Sequence, residues 1–120
     1  MHTICETRAF QKQAADSGMT SEDIEALASY LAANPDAGDE IKGTGGCRKI
    51  RRPLAGQGKR GGCRVITFFT GPDLPVFLLA AFAKNERVDL TQSERNKLVA
   101  FTKDIVLSYR QRVVRVEGER

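Results

Sequence analysis

Three short segments rich in β-forming residues lie close together in this 120-residue chain and most constrain its fold. They are residues 47–52, 63–70 and 76–83, and each is predicted to be a strand. Short connections rich in glycine and proline join them, so consecutive strands should pair antiparallel as a meander. The third segment is apolar almost throughout, which predicts a central strand covered on both faces. Its alanines leave a buried helix as the alternative.

Helix signals flank the predicted meander on both sides. Thr20 with Asp23 forms a capping-box pattern, and a stripe of apolar residues at helical spacing follows it. Thr91 with Glu94 repeats the pattern before a helix expected from about 92 to 111. Residues 4–10 are either a first strand or the beginning of a helix.

The order helix, meander, helix predicts a single α+β domain over residues 1–120. We expect a small antiparallel sheet with helices packed on one side, and an N-terminal or C-terminal strand added to it. The tail, residues 112–120, either frays or supplies that edge strand.

Composition argues against several classes of protein. Cys5, Cys47 and Cys63 form no C-x-x-C pair, so neither a zinc site nor any other metal or cofactor is predicted. Buried thiols in a reducing cytosol are expected, with Cys47 and Cys63 facing across a hairpin as the alternative. The only histidine, His2, is expected in a disordered terminus rather than in catalysis. No signal peptide is visible, and the longest apolar run, 74–83, is too short to span a bilayer, so we expect a soluble cytoplasmic protein.

Charge is distributed unevenly along the chain. Residues 42–64 contain eight basic residues, no acidic residue and seven glycines. Residues 1–40 contain eight acidic and two basic residues, and the net charge of the whole chain is only +4. The basic stretch predicts a positive surface suited to phosphate. A solvated hairpin without a ligand is the alternative.

Three short segments follow one another along the chain: Gly-Thr-Gly-Gly-Cys-Arg-Lys-Ile-Arg at 43–51, Gly-Gly-Cys-Arg-Val-Ile at 61–66 and Ala-Lys-Asn-Glu-Arg-Val-Asp-Leu-Thr at 83–91. In this order they resemble the HigB-type branch of the RelE/ParE toxin superfamily. The resemblance covers roughly residues 20–110. It implies the toxin of a type II toxin–antitoxin pair, with a fold like that of microbial ribonucleases. Many RelE-like proteins cleave mRNA in the ribosomal A site, and an antitoxin, often with a helix-turn-helix, neutralises them.

The resemblance also implies a set of catalytic residues, namely Arg64, Lys49, Arg51 and Lys84. Arg64 is assigned to the scissile phosphate, because its planar fork reaches two phosphate oxygens at once. A lysine among other cations has its neutral form favoured, so Lys49 or Lys84 is a candidate proton carrier. The alternative for Lys84 is a surface lysine paired with a neighbouring carboxylate.

The other basic side chains of the region are predicted to contact backbone phosphates of RNA. They are Arg48, Arg52, Lys59, Arg60 and Lys42. Strand alternation predicts that Lys49 and Arg51 share one face of the sheet, while Arg48 and Arg52 share the other.

One feature departs from the family pattern. Some RelE-like enzymes carry a late tyrosine that is thought to stack on a base, and the region near Leu90 has none. Tyr109, Phe68 and Phe69 are expected in the core, the two phenylalanines on opposite faces of their strand. Three other functions stay open: a ParE-like gyrase poison, a non-catalytic nucleic-acid-binding module and an inactive family member.

Overall fold

The computed structural model describes residues 2–54, 62–83 and 90–112 of the chain. Five strands and three helices follow one another within these ranges. They are β1 (Ile4–Glu6), α1 (Arg8–Asp16), α2 (Ser21–Ala33), β2 (Asp39–Glu40), β3 (Cys47–Arg52), β4 (Cys63–Phe68), β5 (Val76–Ala83) and α3 (Gln92–Arg112).

The strands form one mixed sheet in the order β1-β5-β4-β3-β2. Strands β3, β4 and β5 pair antiparallel, which confirms the meander, and β1 joins β5 in parallel as the added N-terminal strand. Residues 4–10 contain both predicted alternatives, because β1 ends at Glu6 and α1 begins at Arg8. The two-residue strand β2 pairs antiparallel with β3, and it is too short to leave a periodic pattern in the sequence.

Helices cover both faces of the sheet. Helices α1 and α2 pack on one face, in an apolar cluster that includes Val76 and Leu78 of β5. Helix α3 packs on the opposite face, against Phe77 and Leu79 of the same strand. The α+β class and the two-sided burial of β5 are therefore confirmed, whereas the expectation of helices on one side is wrong. Successive residues of β5 point to opposite faces of the sheet and are apolar on both. Each face therefore needs helices packed against it to exclude water.

Side-chain hydrogen bonds fix the beginnings of α2 and α3, as the capping boxes predict. In α2, Thr20 Oγ1 accepts from the Asp23 amide at 3.1 Å, and Asp23 Oδ2 accepts from the Thr20 amide at 2.9 Å. In α3, Thr91 Oγ1 accepts from the Glu94 amide at 3.1 Å, and Glu94 Oε1 accepts from the Thr91 amide at 2.9 Å. Each box satisfies two amides that a helix end leaves without intrahelical partners.

The chain turns at Gly38, directly before β2, and passes close to β3 there. Gly38 has a φ of +98°, a conformation that L side chains rarely adopt. A Cβ at this position would lie 2.8 Å from the carbonyl oxygen of Lys49. The turn therefore requires glycine for both its backbone conformation and its close approach to β3.

Cys47 and Cys63 are both buried, as expected of structural thiols. They lie at opposite ends of the β3–β4 pair and in different apolar clusters, so they do not face each other across the hairpin. Burial raises the pKa of the Cys47 thiol to about 11. Within the described ranges, the chain forms no helix with the length and apolar character needed to cross a bilayer.

Candidate nucleic-acid interface

Three cations lie together on one face of the sheet, where β3 and β4 approach the connection between them. Arg51 lies directly opposite Arg64 in the β3–β4 register, and Lys49 lies two residues before Arg51. Directly opposed residues of antiparallel strands have Cβ atoms about 4.5–5.5 Å apart and point to the same face. Side chains two apart on a strand also share a face. We call Lys49, Arg51 and Arg64 the cationic cluster.

The cationic cluster occupies the face that α3 partly covers. Arg64 shares this face with Ile66, which packs in the α3-side apolar cluster, and lies opposite Phe82 of β5. Arg51 is exposed, while Lys49 and Arg64 are partly buried. Two guanidinium groups on directly opposed residues of adjacent strands attract an anion placed between them. The arrangement is therefore suited to a phosphate group.

The remaining cations of β3 lie on the opposite face, as strand alternation predicts. The guanidinium carbon of Arg52 lies 5.1 Å from the centroid of the Tyr30 ring in α2, a cation–π contact. Arg48 Nη2 lies 4.0 Å from Glu40 Oε2, and its Nη1 lies 3.5 Å from the Gly38 carbonyl oxygen. Arg48 and Arg52 thus lie across the sheet from the cationic cluster and contact α2, β2 and the Gly38 turn.

The remaining predicted site residues do not belong to the cationic cluster. Lys59, Arg60 and Lys84 lie outside the described residues. Lys42 is exposed and lines the same cavity as Lys49. Of the predicted catalytic set, the structure therefore brings together Lys49, Arg51 and Arg64.

A cavity of about 310 Å³ opens beside Lys49, between β2, the turn that follows it and the beginning of α3. Its charged lining consists of Asp39, Glu40, Lys42, Lys49 and Arg95, and Ile41 and Leu90 form the apolar part of its wall. The sequence interpretation missed Asp39 and Arg95. No local pattern points to either residue, because the cavity exists only once α3 lies across the sheet.

The predicted core aromatic residues pack as expected. Phe68 is buried in the α3-side cluster, while Phe69 packs against the cluster on the opposite face. Tyr109 packs edge-to-face on Phe77, with ring centroids 6.0 Å apart. Leu90 lines the cavity described above.

His2 is ordered by contacts at the other end of the sheet, so its expected place in a disordered terminus is wrong. Its Nε2 lies 2.6 Å from the carbonyl oxygen of Leu74, and its ring packs edge-to-face on Phe69 at 4.9 Å. These tertiary contacts are not visible in the local sequence. Phe69 directly follows the last residue of β4, whereas Arg64 is near the beginning of that strand. His2 therefore lies at the opposite end of β4 from the cationic cluster.

The described residues thus form a small α+β domain with three cations gathered on one face of its sheet. The family model described as the RelE toxin of the RelE/RelB toxin–antitoxin system matches residues 2–118. The chain therefore belongs to the RelE toxin family. Membership implies an antitoxin partner.

A solved structure supports the same fold. It is that of the E. coli toxin RelE, an arginine-to-alanine double mutant in the free state. The two chains are 17% identical, and the match covers 84% of this chain and 96% of the other with a TM-score of 0.52. At this identity the likeness establishes the RelE-like fold alone.

Proposed function

We propose that this protein is the toxin of a type II toxin–antitoxin system and that it cleaves mRNA on the ribosome. Within the RelE family, the sequence motifs favour the HigB-like branch. The observation that carries the proposal is the β3–β4 register, with Arg51 opposite Arg64 and Lys49 on the same face. Family membership supports the toxin class, and the cationic cluster supports chemistry on a phosphodiester.

The proposed reaction is transesterification of RNA. The 2′-oxygen attacks the adjacent phosphorus, the bond to the 5′-oxygen breaks, and the products are a cyclic phosphate and a 5′-hydroxyl. The 2′-hydroxyl loses one proton and the leaving 5′-oxygen gains one. Negative charge builds on the non-bridging oxygens in the transition state, which is where preoriented cations act.

Arg64 is assigned to those oxygens, since a guanidinium donates two parallel hydrogen bonds to one phosphate. Arg51, directly opposite on β3, adds a second guanidinium, and Lys49 adds a compact charge and is a candidate proton donor to the leaving oxygen. A single preoriented donor of this kind contributes about 10²–10³ in rate in enzymes where it has been removed. Arg48 and Arg52 lie on the other face, so their proposed contacts would be with RNA outside the cleaved linkage.

The proposed partners are the ribosome with its mRNA and a cognate antitoxin. Ribosome and mRNA supply the substrate, which requires a cytoplasmic location. A cognate antitoxin, proposed to contain a helix-turn-helix, neutralises the toxin. An acidic segment of it laid over the cationic cluster would block access of RNA phosphates, because opposite charges attract and the bound segment excludes the substrate.

The test uses purified toxin and ribosomes stalled on a defined mRNA, with cleavage mapped by primer extension. Wild type is expected to cleave within the A-site codon, and Arg64→Ala to be slower by at least about 100-fold. Arg8→Ala, an exposed arginine of α1 on the opposite side of the sheet, is the matched control and should keep the rate within about threefold. All three proteins should bind the antitoxin.

Three results would contradict the proposal. Cleavage by Arg64→Ala at the parental rate would remove Arg64 from the chemistry. A wild type that leaves mRNA intact but blocks gyrase-dependent supercoiling would instead be a ParE-like poison. Salt-sensitive RNA binding with no cleavage on translating ribosomes would indicate a non-catalytic binding module.

A further inference from the structure

We propose that Asp39 is a positioning residue for RNA cleavage, whose carboxylate holds the Lys49 ammonium over the leaving 5′-oxygen. The inference rests on the proposed ribonuclease function and deepens it, because it identifies what directs the proton donor. A lysine carries its charge on a flexible four-carbon stem, so its place on β3 does not by itself fix where the ammonium lies. A partner that fixes the ammonium is therefore expected on the same face of the sheet.

The β2–β3 register puts a carboxylate directly beside Lys49. Asp39 and Lys49 are paired residues of these antiparallel strands. Their side chains therefore project from the same face, with Cβ atoms about 4.5–5.5 Å apart. Both residues also line the cavity that opens beside Lys49. Over this separation, an aspartate and a lysine can form a charge-assisted hydrogen bond.

The backbone before β2 fixes the place of Asp39. The preceding residue, Gly38, has a φ of +98°, and a Cβ on it would lie 2.8 Å from the Lys49 carbonyl oxygen. The chain therefore enters β2 in close contact with the backbone of Lys49 itself. A residue that positions another must itself be held, and this contact holds Asp39 at a defined distance from Lys49.

Glu40, the other residue of β2, lines the same cavity. It is paired with Arg48 in the register, and its Oε2 lies 4.0 Å from Arg48 Nη2. Strand alternation places Arg48 and Lys49 on opposite faces of β3. Each carboxylate of β2 therefore lies opposite a different cation, and Asp39 is the one opposite the proposed proton donor.

A carboxylate at this place does not assist RNA binding, since it repels the phosphates that the cationic cluster attracts. Loss of the Asp39 carboxylate should therefore leave the affinity for RNA unchanged or tighter. The chemical step should nevertheless slow, because the ammonium then meets the leaving oxygen in fewer of the bound complexes. This separation of rate from affinity is the mark of a positioning role.

The step that Asp39 serves is proton transfer to the leaving group. The 2′-oxygen forms its bond to phosphorus, and the bond to the 5′-oxygen breaks with its electron pair going to that oxygen. Lys49 Nζ gives the 5′-oxygen a proton and regains one from water, while the 2′-hydroxyl proton passes to water. Sulfur in place of the 5′-oxygen leaves as a thiolate, which is stable near neutral pH and needs no such proton.

The experiment compares two mRNAs on stalled ribosomes in single turnover, one with the natural linkage and one with sulfur as the bridging 5′ atom. On the natural mRNA, Lys49→Ala should be about 100-fold slower than wild type. Asp39→Asn should be about tenfold slower, with no loss of affinity for the ribosome complex. On the sulfur mRNA, Asp39→Asn should cleave within about threefold of wild type, and the loss in Lys49→Ala should be smaller by about tenfold.

Two control variants separate the Asp39 carboxylate from its surroundings. Asp39→Glu keeps a carboxylate at the position and should recover most of the rate on the natural mRNA. Glu40→Gln removes the neighbouring carboxylate of the same strand and cavity. It should keep the rate within about threefold, since an exposed ion pair contributes little. Unchanged thermal unfolding of each variant excludes misfolding as the cause.

Four results would overturn the inference or its basis. Parental cleavage of the natural mRNA by Asp39→Asn means that the carboxylate has no role, and an equal loss on both mRNAs means that it does not act through proton transfer. A loss in Glu40→Gln as large as that in Asp39→Asn assigns the effect to the charge of β2 as a whole. These three results leave the ribonuclease standing, whereas a wild type that cleaves neither mRNA removes the proposed function itself.

Discussion

Replacing Gly38 by alanine should destabilise the protein through the strand that carries Lys49. Gly38 has a φ of +98°, and a Cβ there would lie 2.8 Å from the Lys49 carbonyl oxygen and 3.3 Å from the Ile50 Cβ. Gly45 has a comparable φ of +72°, but nothing lies within 4 Å of its Cβ position. A comparison of alanine at the two positions therefore separates the cost of backbone strain from the cost of steric displacement.

The expected magnitudes follow from these distances. Alanine in the left-handed region costs about 1–2 kcal/mol, and its lower entropy in the unfolded chain returns about 0.4–1 kcal/mol. Gly45→Ala should therefore lose about 0.5–1 kcal/mol of unfolding free energy. Gly38→Ala must also displace a backbone carbonyl of β3, and overpacking of this kind costs about 1–3 kcal/mol more.

Urea denaturation followed by circular dichroism measures both variants, each made in the Arg64→Ala background to limit toxicity. Equal losses of unfolding free energy in Gly38→Ala and Gly45→Ala would refute the reasoning, because the close approach of Gly38 to the Lys49 carbonyl would then carry no cost. The same two changes in the wild-type background should differ in cleavage rate, with Gly38→Ala the slower, since displacement of Lys49 disturbs the cationic cluster.

Three further changes test separate parts of the structure. Thr91→Ala should lower the unfolding free energy by about 1 kcal/mol in urea denaturation, with Thr91→Ser losing much less, because the α3 cap is lost. Tyr30→Leu should cost about 0.5–1 kcal/mol through the lost Arg52 contact, while Tyr30→Phe should be nearly neutral. The pKa of Cys47 is raised from 9.0 to about 11, so its contribution to stability is complete below pH 9 and lost between pH 9 and 11. Denaturation across that range should show a shallower decline for Cys47→Ala than for wild type.

The central strands could be predicted because local chemistry determines them. β-branched and aromatic residues fill β4, while glycine and proline mark the turns on either side, so the meander is visible without tertiary information. The continuous apolar pattern of β5 also required cover on both faces. That pattern already argued against helices on one side, since a single helical layer leaves Phe77 and Leu79 exposed.

The site was only partly predictable for a different reason. Alternation along β3 separates Lys49 and Arg51 from Arg48 and Arg52 without reference to any other strand. The alignment of Arg51 with Arg64 depends on the β3–β4 register, which a long connection does not fix. Asp39 and Arg95 come from β2 and α3, and only the packing of those elements brings them to Lys49.

The proposed mechanism requires Arg51 and Arg64 to act together on one phosphate. Single-turnover cleavage on programmed ribosomes measures this directly, using Arg51→Ala, Arg64→Ala and the double variant. Residues that act as a unit give strongly non-additive losses, so the double variant should be slower than Arg64→Ala by less than about threefold. If the two losses multiply as independent factors, or if neither change slows cleavage, the two guanidinium groups do not share a phosphate and the proposed mechanism is wrong.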